Sequence, residues 1–439
     1  MKILKFGGTS VGKPERMHSV AKLITANTDQ KIVVLSALSG TTNTLVEIGD
    51  KLFSKDKAGA EATMDTLYKH YLDFHLNLVQ QSHSIDAAKQ VIDEHFDWMR
   101  NLLKRDFTEV LNKELLAQGE LLSTKLFDVY LKEINVKGTL LPALEYMRID
   151  EFSEPDIDFL KSQLSTLLKE KAGYDIYVTQ GYICKNHKGE IDNLKRGGSD
   201  YSATLIGAAI QAEEVQIWTD IDGMHNNDPR IVDKTYPIRD LSFNEASELA
   251  YFGAKILHPS SIWPVQQYNV PTRLLNTMDP EAPGTYISSE EKTNDVKAIA
   301  AKDKITAIRI KSSRMLLAYG FLRKIFEIFE KYRTPIDMIT TSEVAVSLSI
   351  DDETNLENIV KELENFGLVT VEKNQTIICI VGNLIAHSKG IVKQIFNALE
   401  EFPIRMISQG GSRYNISILV DSKYKKDVLV SLNKALFNL

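Results

Sequence analysis

The chain has 439 residues, 43% apolar and 25% charged, the composition of a globular protein large enough for more than one core. Its net charge of -7 argues against nucleic acid or an anionic membrane as the main partner, and leaves room for a local basic pocket that takes a phosphorylated substrate. Two distant cysteines, Cys184 and Cys379, exclude a disulfide framework, and nine histidines without HExxH spacing argue against a structural metal.

The N-terminus passes directly into Met1-Lys2-Ile3-Leu4 with no signal-peptide pattern, and apolar runs such as Thr376 to Val381 are too short to span a bilayer. The expected location is therefore cytoplasmic. Lys2 to Phe6 reads as a short strand. Pro14 suits the first turn of a helix through Met17, Val20, Ala21 and Ile24. "KIVVLSAL" (Lys31 to Leu38) has the β-branched content of a buried parallel strand. From about 58 to 134 the period is helical, with Leu115, Leu122, Leu126, Val129 and Tyr130 on one face. "IYVTQGYI" (Ile176 to Ile183) and "VQIWTDI" (Val215 to Ile221) read as strands around a small-residue helix, Asp200 to Ala212. This alternation predicts an α/β fold with a mostly parallel sheet sandwiched by helices.

A boundary is expected near Met278 to Asp295, which holds two prolines, a glycine and mixed charge. Beyond it the chain repeats. Gly320 to Asp351 matches Gly390 to Asp421: Ile325-Phe326 against Ile395-Phe396, and Met338-Ile339 against Met406-Ile407. Each copy reads glycine turn, amphipathic helix, strand, loop, strand, a small α+β unit used twice.

Four stretches carry polar residues where a strand end or helix start would place them. In Lys5-Phe6-Gly7-Gly8-Thr9-Ser10, glycine N–H groups and a lysine suit a phosphoryl group, although a structural glycine turn explains the pair equally well. Arg196-Gly197-Gly198-Ser199-Asp200 offers a bidentate clamp for a carboxylate, with Asp200 open to reading as a helix cap. Thr219-Asp220, at a strand end, leads to Asp228-Pro229-Arg230, itself open to reading as a surface turn. Phe252-Gly253-Ala254-Lys255 lies between Glu245 and His258, and His258 before Pro259 reads as structural.

Together, "KFGGTSVG" (Lys5 to Gly12), "SALSGTTN" (Ser36 to Asn43), "GELLS" (Gly119 to Ser123), "RGGSDYSA" (Arg196 to Ala203), "WTDIDG…NDPR" (Trp218 to Arg230) and "FGAKILHP" (Phe252 to Pro259) resemble the aspartate kinases of the amino-acid kinase superfamily. The tail resembles that family's two ACT units, which are ferredoxin-like. The resemblance implies a catalytic domain over 1–285 and a regulatory region over 286–439. The ACT units would span about 312–373 and about 374–439, the second completed by a strand from about 298–311.

It further implies ATP-dependent phosphorylation of the β-carboxylate of L-aspartate, the first step toward lysine, threonine and methionine, with ATP and Mg2+ and no protein metal ligand. Lys5 and Asp200 would be catalytic. Ser36, Thr42, Glu120, Arg196 and Ser199 would hold aspartate, with Glu120 on the α-amino group and Arg196 on the α-carboxylate. Lys5, Gly7, Gly8, Thr219, Asp220, His225, Arg230 and Lys255 would hold the nucleotide. "MITTSE" (Met338 to Glu343) resembles the lysine-sensitive monofunctional type, which places Met315, Phe321, Leu322, Asp337, Ser342 and Glu343 near an amino-acid effector, lysine first among candidates. Pairing of ACT units implies at least a homodimer. No homoserine dehydrogenase region follows Leu439, so the monofunctional form is expected.

Three positions depart from the pattern: His225 stands where tyrosine is frequent, Lys195 where glycine often precedes the arginine, and Ala318-Tyr319 where polar residues are common. A glutamate kinase of the same superfamily and a catalytically silent amino-acid sensor are the competing readings. The intact charged set argues against the sensor, and the GELLS and RGGSD pair with the ACT tail favours aspartate.

Overall fold

The computed structural model describes residues 1–194, 197–253, 257–292, 296–315 and 319–439. They fall into two compact units, Met1–Met224 with Ile256–Ser289, and His225–Lys255 with Glu290–Leu439.

The first unit begins β1 (Lys2–Phe6), α1 (Gly8–Val11), α2 (Pro14–Thr25), β2 (Lys31–Leu35), α3 (Thr41–Phe53). Three long helices follow, α4 (Lys57–Leu78), α5 (Ser82–Asn101) and α6 (Glu109–Glu133), then β3 (Gly138–Leu140), α7 (Ala143–Tyr146), α8 (Ile157–Glu170) and β4 (Ile176–Gln180). A hairpin of β5 (Ile183–Lys185) and β6 (Ile191–Asn193) leads to α9 (Gly198–Ile210) and β7 (Val215–Thr219). Next in the chain are two elements of the second unit, β8 (Asp240–Ser242) and α10 (Phe243–Tyr251). The first unit closes with α11 (Pro259–Gln267), β9 (Thr272–Asn276) and β10 (Thr285–Ser288).

Parallel pairing runs β3-β4-β2-β1-β7-β9, and β10 is antiparallel to β9. Every residue of β2 and β4 is buried, because helices cover both faces of a parallel sheet. The expected parallel sheet between helices is therefore present. Its central strand, β1, has β2 on one side and β7 on the other. This reversal of strand order is where open α/β sheets leave a crevice at their carboxyl ends. One reading changes: the strand expected through Ile183 stops at Gln180. Gly181 passes Ser199 so closely that a Cβ would lie 2.3 Å from the serine Cβ, and Tyr182 takes a left-handed φ of 65°. An apolar alternation runs straight through this break, which is why the pattern hides it.

In the second unit β11 (Val296–Lys311) and β14 (Leu368–Gly382) are long strands used by both copies of the repeat. Around them lie α12 (Phe321–Lys331), β12 (Met338–Thr341), β13 (Ala345–Ile350), α13 (Leu356–Leu363), α14 (Ile391–Ala398), β15 (Ile404–Gln409), β16 (Asn415–Asp421) and α15 (Lys425–Phe437). The antiparallel order is β12-β13-β11-β14-β16-β15. Gly320 and Gly390 both take positive φ before a helix, 77° and 85°, which only glycine adopts freely. Ile325 and Ile395 are both buried. Met338 and Met406 face the core while their neighbours Ile339 and Ile407 are exposed. The repeat is legible because matched residues keep matched environments.

Candidate active site

The carboxyl ends of β1 and β2 and the start of α9 converge on one cavity of about 410 Å³. Gly8, Ser36, Thr42, Glu120 and Ser199 line it, with Asn43 and Tyr182. The two glycine pairs work by different means. Gly7 has an ordinary extended backbone, and its hydrogen leaves room for Lys5, whose Nζ would be 3.1 Å from a Cβ there. A Cβ on Gly8 would likewise lie 3.2 Å from the carbonyl oxygen of Ala37. Gly197 and Gly198 have positive φ, 74° and 50°, so that pair is needed for conformation.

Lys5 Nζ lies 2.6 Å from Asp200 Oδ1. Asp200 is the third residue of α9, after Gly197 as cap, so it is not the cap itself. Ser36 Oγ donates to Ser199 Oγ at 2.8 Å, tying the β2 end to α9. Glu120 is buried on α6. Gly119 beside it lets the helix approach Ala37, where a Cβ would meet the alanine Cβ at 2.8 Å. The N–H of Ala37 donates to Glu120 Oε1 at 3.3 Å, and Oε2 finds no hydrogen-bond partner among the described residues. Burial pushes the Glu120 carboxyl up to about 8, against the weaker opposing effect of the Ala37 N–H. Ser123 on the same helix donates to the carbonyl of Ser36 at 2.8 Å, fixing the helix against this strand end.

A buried acid with one free oxygen suits an ammonium group. A lysine braced by an aspartate, beside the N-terminus of a thirteen-residue helix, suits a transferring anion. Arg196, Lys195 and Lys255 lie outside the described residues.

Thr219 ends β7 and its hydroxyl donates to Asp220 at 3.2 Å, in the first unit. His225 and Arg230 belong to the second. His225 Nδ1 is 3.0 Å from Thr235 Oγ1. Arg230 forms a two-point pair with Asp228, at 2.9 and 2.8 Å, and holds that carboxyl below its usual range. Glu245 completes a capping box with Ser242, and His258 Nδ1 accepts from the N–H of Ser260, as a structural histidine would.

Of the expected effector residues, Phe321 is in the core of the first repeat copy, with Met315 and Leu322 packed against it. Asp337 is buried. Its Oδ1 accepts from Lys302 Nζ at 2.6 Å and Tyr251 OH at 3.1 Å, and its Oδ2 has no hydrogen-bond partner among the described residues. Ser342 and Glu343 are exposed beyond the far end of β12. Ala318 lies outside the described residues; Tyr319 is fully exposed.

Residues 1–276 match the amino acid kinase family and residues 378–436 match the ACT domain. Aspartokinase 3, chloroplastic, of Arabidopsis thaliana is 35% identical over 99% of this chain and 81% of its own length. The lysine-sensitive aspartokinase 3 of Escherichia coli is 32% identical over 99% of both. The chain belongs to the aspartokinase family.

Two E. coli aspartokinase III structures cover all of this chain: the complex with aspartate and ADP (R-state), at 31% identity, 100% of that chain and TM-score 0.87, and the complex with lysine and aspartate (T-state), at 32%, 99% and 0.82. As an aspartokinase, the chain uses ATP to phosphorylate L-aspartate on its β-carboxylate. Sequence reasoning missed Tyr182, whose only signal is the Gln-Gly pair before it. It also missed Lys302 and Tyr251, which have no local motif at all.

Proposed function

We propose that Glu120, with Arg196, selects aspartate: the carboxylate takes the α-ammonium and the guanidinium the α-carboxylate. The observation that carries this is the free Oε2 of a buried glutamate lining a cavity, with Ser36, Thr42 and Ser199 around it to place the substrate. The nucleophile is the β-carboxylate, already ionised at neutral pH, so no general base is required. Lys5 neutralises the transferring phosphoryl group, and Asp200 holds Lys5 in place. Gly7 and Gly8 admit the phosphates close to the backbone. Thr219, Asp220, His225, Arg230 and Lys255 hold the nucleotide.

Mg2+ fits as an ion that arrives on the nucleotide. The donor set nearby is one carboxylate, Asp200, already paired with a lysine, and no cluster of three or more His, Cys, Asp or Glu side chains occurs among the described residues. Bound there, Mg2+ neutralises phosphate charge.

The effector is lysine, and the chain acts as a homodimer. Asp337 and Ser342 lie at opposite ends of β12, roughly 16 Å apart at about 3.3 Å per residue, more than an extended lysine spans. Ser342 and Glu343 of a second chain would bring both sets onto one lysine. No helix among the described residues is long and apolar enough to cross a membrane.

The deciding experiment is ADP release with Mg-ATP and either aspartate or glutamate, repeated with lysine, threonine and both. Release with aspartate alone, suppressed by lysine, is expected. Equal rates with glutamate would sink the selectivity assignment, and indifference to lysine the regulatory one.

A further inference from the structure

We propose that Asn433, on the last helix of the chain, is a positioning residue for the nucleotide. It holds the loop that carries Arg230. The inference rests on the reading of Arg230 as a nucleotide contact.

Asn433 is buried on α15, and so are Asn226 and Asn227. Its Oδ1 accepts from Asn226 Nδ2 and Asn227 Nδ2, both at 3.3 Å, and its own Nδ2 donates to the carbonyl of Lys234 at 3.0 Å. One side-chain amide therefore clasps both ends of the loop 226–234. The loop passes this constraint on. Asn227 Oδ1 accepts the N–H of Asp228 at 2.9 Å, and the Asp228 carboxylate takes both the N–H and the guanidinium of Arg230. Three hydrogen-bonded steps lead from the C-terminal helix to the Arg230 side chain.

Packing follows the same route. Val232 is part of the hydrophobic cluster that α14 and α15 build on β14 and β16, and Ile231 packs against it. Tyr236 meets Phe437 edge to face, with ring centroids 5.9 Å apart. The loop is thus a component of the second repeat copy's core.

The hydrogen-bond geometry also explains the residue type. A site that must accept two amide N–H groups and donate one suits asparagine. Aspartate lacks the donor and would leave the Lys234 carbonyl without its partner, and leucine has neither function.

The test compares Asn433→Ala, Asn227→Ala, their double variant, Arg230→Ala and Ser431→Ala in steady-state kinetics on the full chain. Ser431 lies on the same helix but donates to the carbonyl of Ala398, away from the loop, and so reports simple loosening of the tail. The expected result is a rise of about tenfold in the KM for ATP with Asn433→Ala, the aspartate KM unchanged. The double variant falls short of the sum of the two single changes, since the bond between Asn433 and Asn227 is lost in both. Ser431→Ala leaves both constants unchanged. If Asn433→Ala does not fold, Asn227→Ala cuts the same link from the loop side and carries the same expectation. An ATP KM unchanged in these variants while Arg230→Ala raises it overturns the role of Asn433 alone. An ATP KM unchanged in Arg230→Ala overturns the nucleotide reading beneath it. Equal rises in both KM values, or the same effect from Ser431→Ala, mark Asn433 as merely structural.

Discussion

Lys5 and Glu120 present opposite problems of charge. Lys5 is satisfied at rest by Asp200, 2.6 Å away, and in the proposed role its contribution would appear when negative charge develops on the transferring group. Lys5→Ala should lower kcat by about a hundredfold to a thousandfold with little change in the aspartate KM, in an aspartate-dependent ADP assay. A loss in the aspartate KM alone would move Lys5 from the transferring phosphoryl to the substrate. Glu120 is half satisfied at rest, its Oε2 without a hydrogen-bond partner among the described residues, with burial lifting its carboxyl to about 8. The empty site is then mostly neutral at pH 7, and the ammonium of aspartate favours the charged form. Binding should release a proton, and the aspartate KM should fall as pH rises from 6 to 8. The folded value lies above the usual 4.5 for glutamate, so this group's stabilisation of the empty chain is complete below about 4.5 and is lost as pH rises through about 8. Between pH 6 and 8 the loss is about 2 kcal/mol. Calorimetric unfolding should show that decline in the native chain and a flatter profile in Glu120→Gln. Parallel profiles for the two would contradict the assignment.

Close approach between elements sets the shape of the cavity, and the sequence marks some approaches better than others. Gly181 sits where β4 ends, and a methyl group there would meet Ser199 Cβ at 2.3 Å and Oγ at 2.4 Å. Gly181→Ala should cost about 1–3 kcal/mol of stability and raise the aspartate KM, because the displaced Ser199 also bonds Ser36. Gly411→Ala, which meets nothing within 4 Å, should change the stability by about 0.5 kcal/mol or less. If both behave alike, the approach of α9 to the β4 end is not what shapes the site. The residues around Lys5, Ser36, Glu120 and Ser199 were legible because each flanks a glycine or a strand end, where local chemistry is constrained. The parallel sheet was legible from buried β-branched runs. Tyr182 was not, since its left-handed backbone is imposed by Ser202 Oγ and Leu194, which bond its N–H and carbonyl from later in the chain. Nor was Asn433, a single polar residue in an amphipathic helix whose partners lie some two hundred positions earlier. Periodicity reports which face is buried and says nothing about which buried amide is paired.

The regulatory reading draws on the whole length of the chain, and Asp337 is where it can be tested. Its carboxylate is already engaged by Lys302, which also pairs with Asp351 at 2.9 Å, and by the hydroxyl of Tyr251 at the end of α10. Burial still raises the Asp337 carboxyl despite the lysine beside it, so the pair is imperfectly compensated. An incoming lysine whose ammonium takes the open Oδ2 would share this carboxylate with Lys302, and two cations on one carboxylate weaken each other's hold. Removing the competitor while keeping its aliphatic bulk, as in Lys302→Met, should therefore lower the lysine concentration needed for half-inhibition. Asp337→Asn should abolish inhibition and leave the rate without lysine near that of the native chain. Tyr251 leads within two residues to Gly253, which packs so tightly on Ala301 of β11 that a Cβ would lie 2.3 Å from its carbonyl oxygen. The segment ahead of Lys255 is thus fastened to the same strand that carries Lys302. Tyr251, hydrogen-bonded to Asp337, precedes Lys255 by four residues; if Lys255 holds the nucleotide as proposed, the lysine effect should appear chiefly in the ATP KM. Lysine dose-response curves at several ATP concentrations separate the outcomes. Inhibition that ATP overcomes, lost in Asp337→Asn and sharpened in Lys302→Met, supports competition at this carboxylate. Sensitivity unchanged in both variants would place the effector elsewhere.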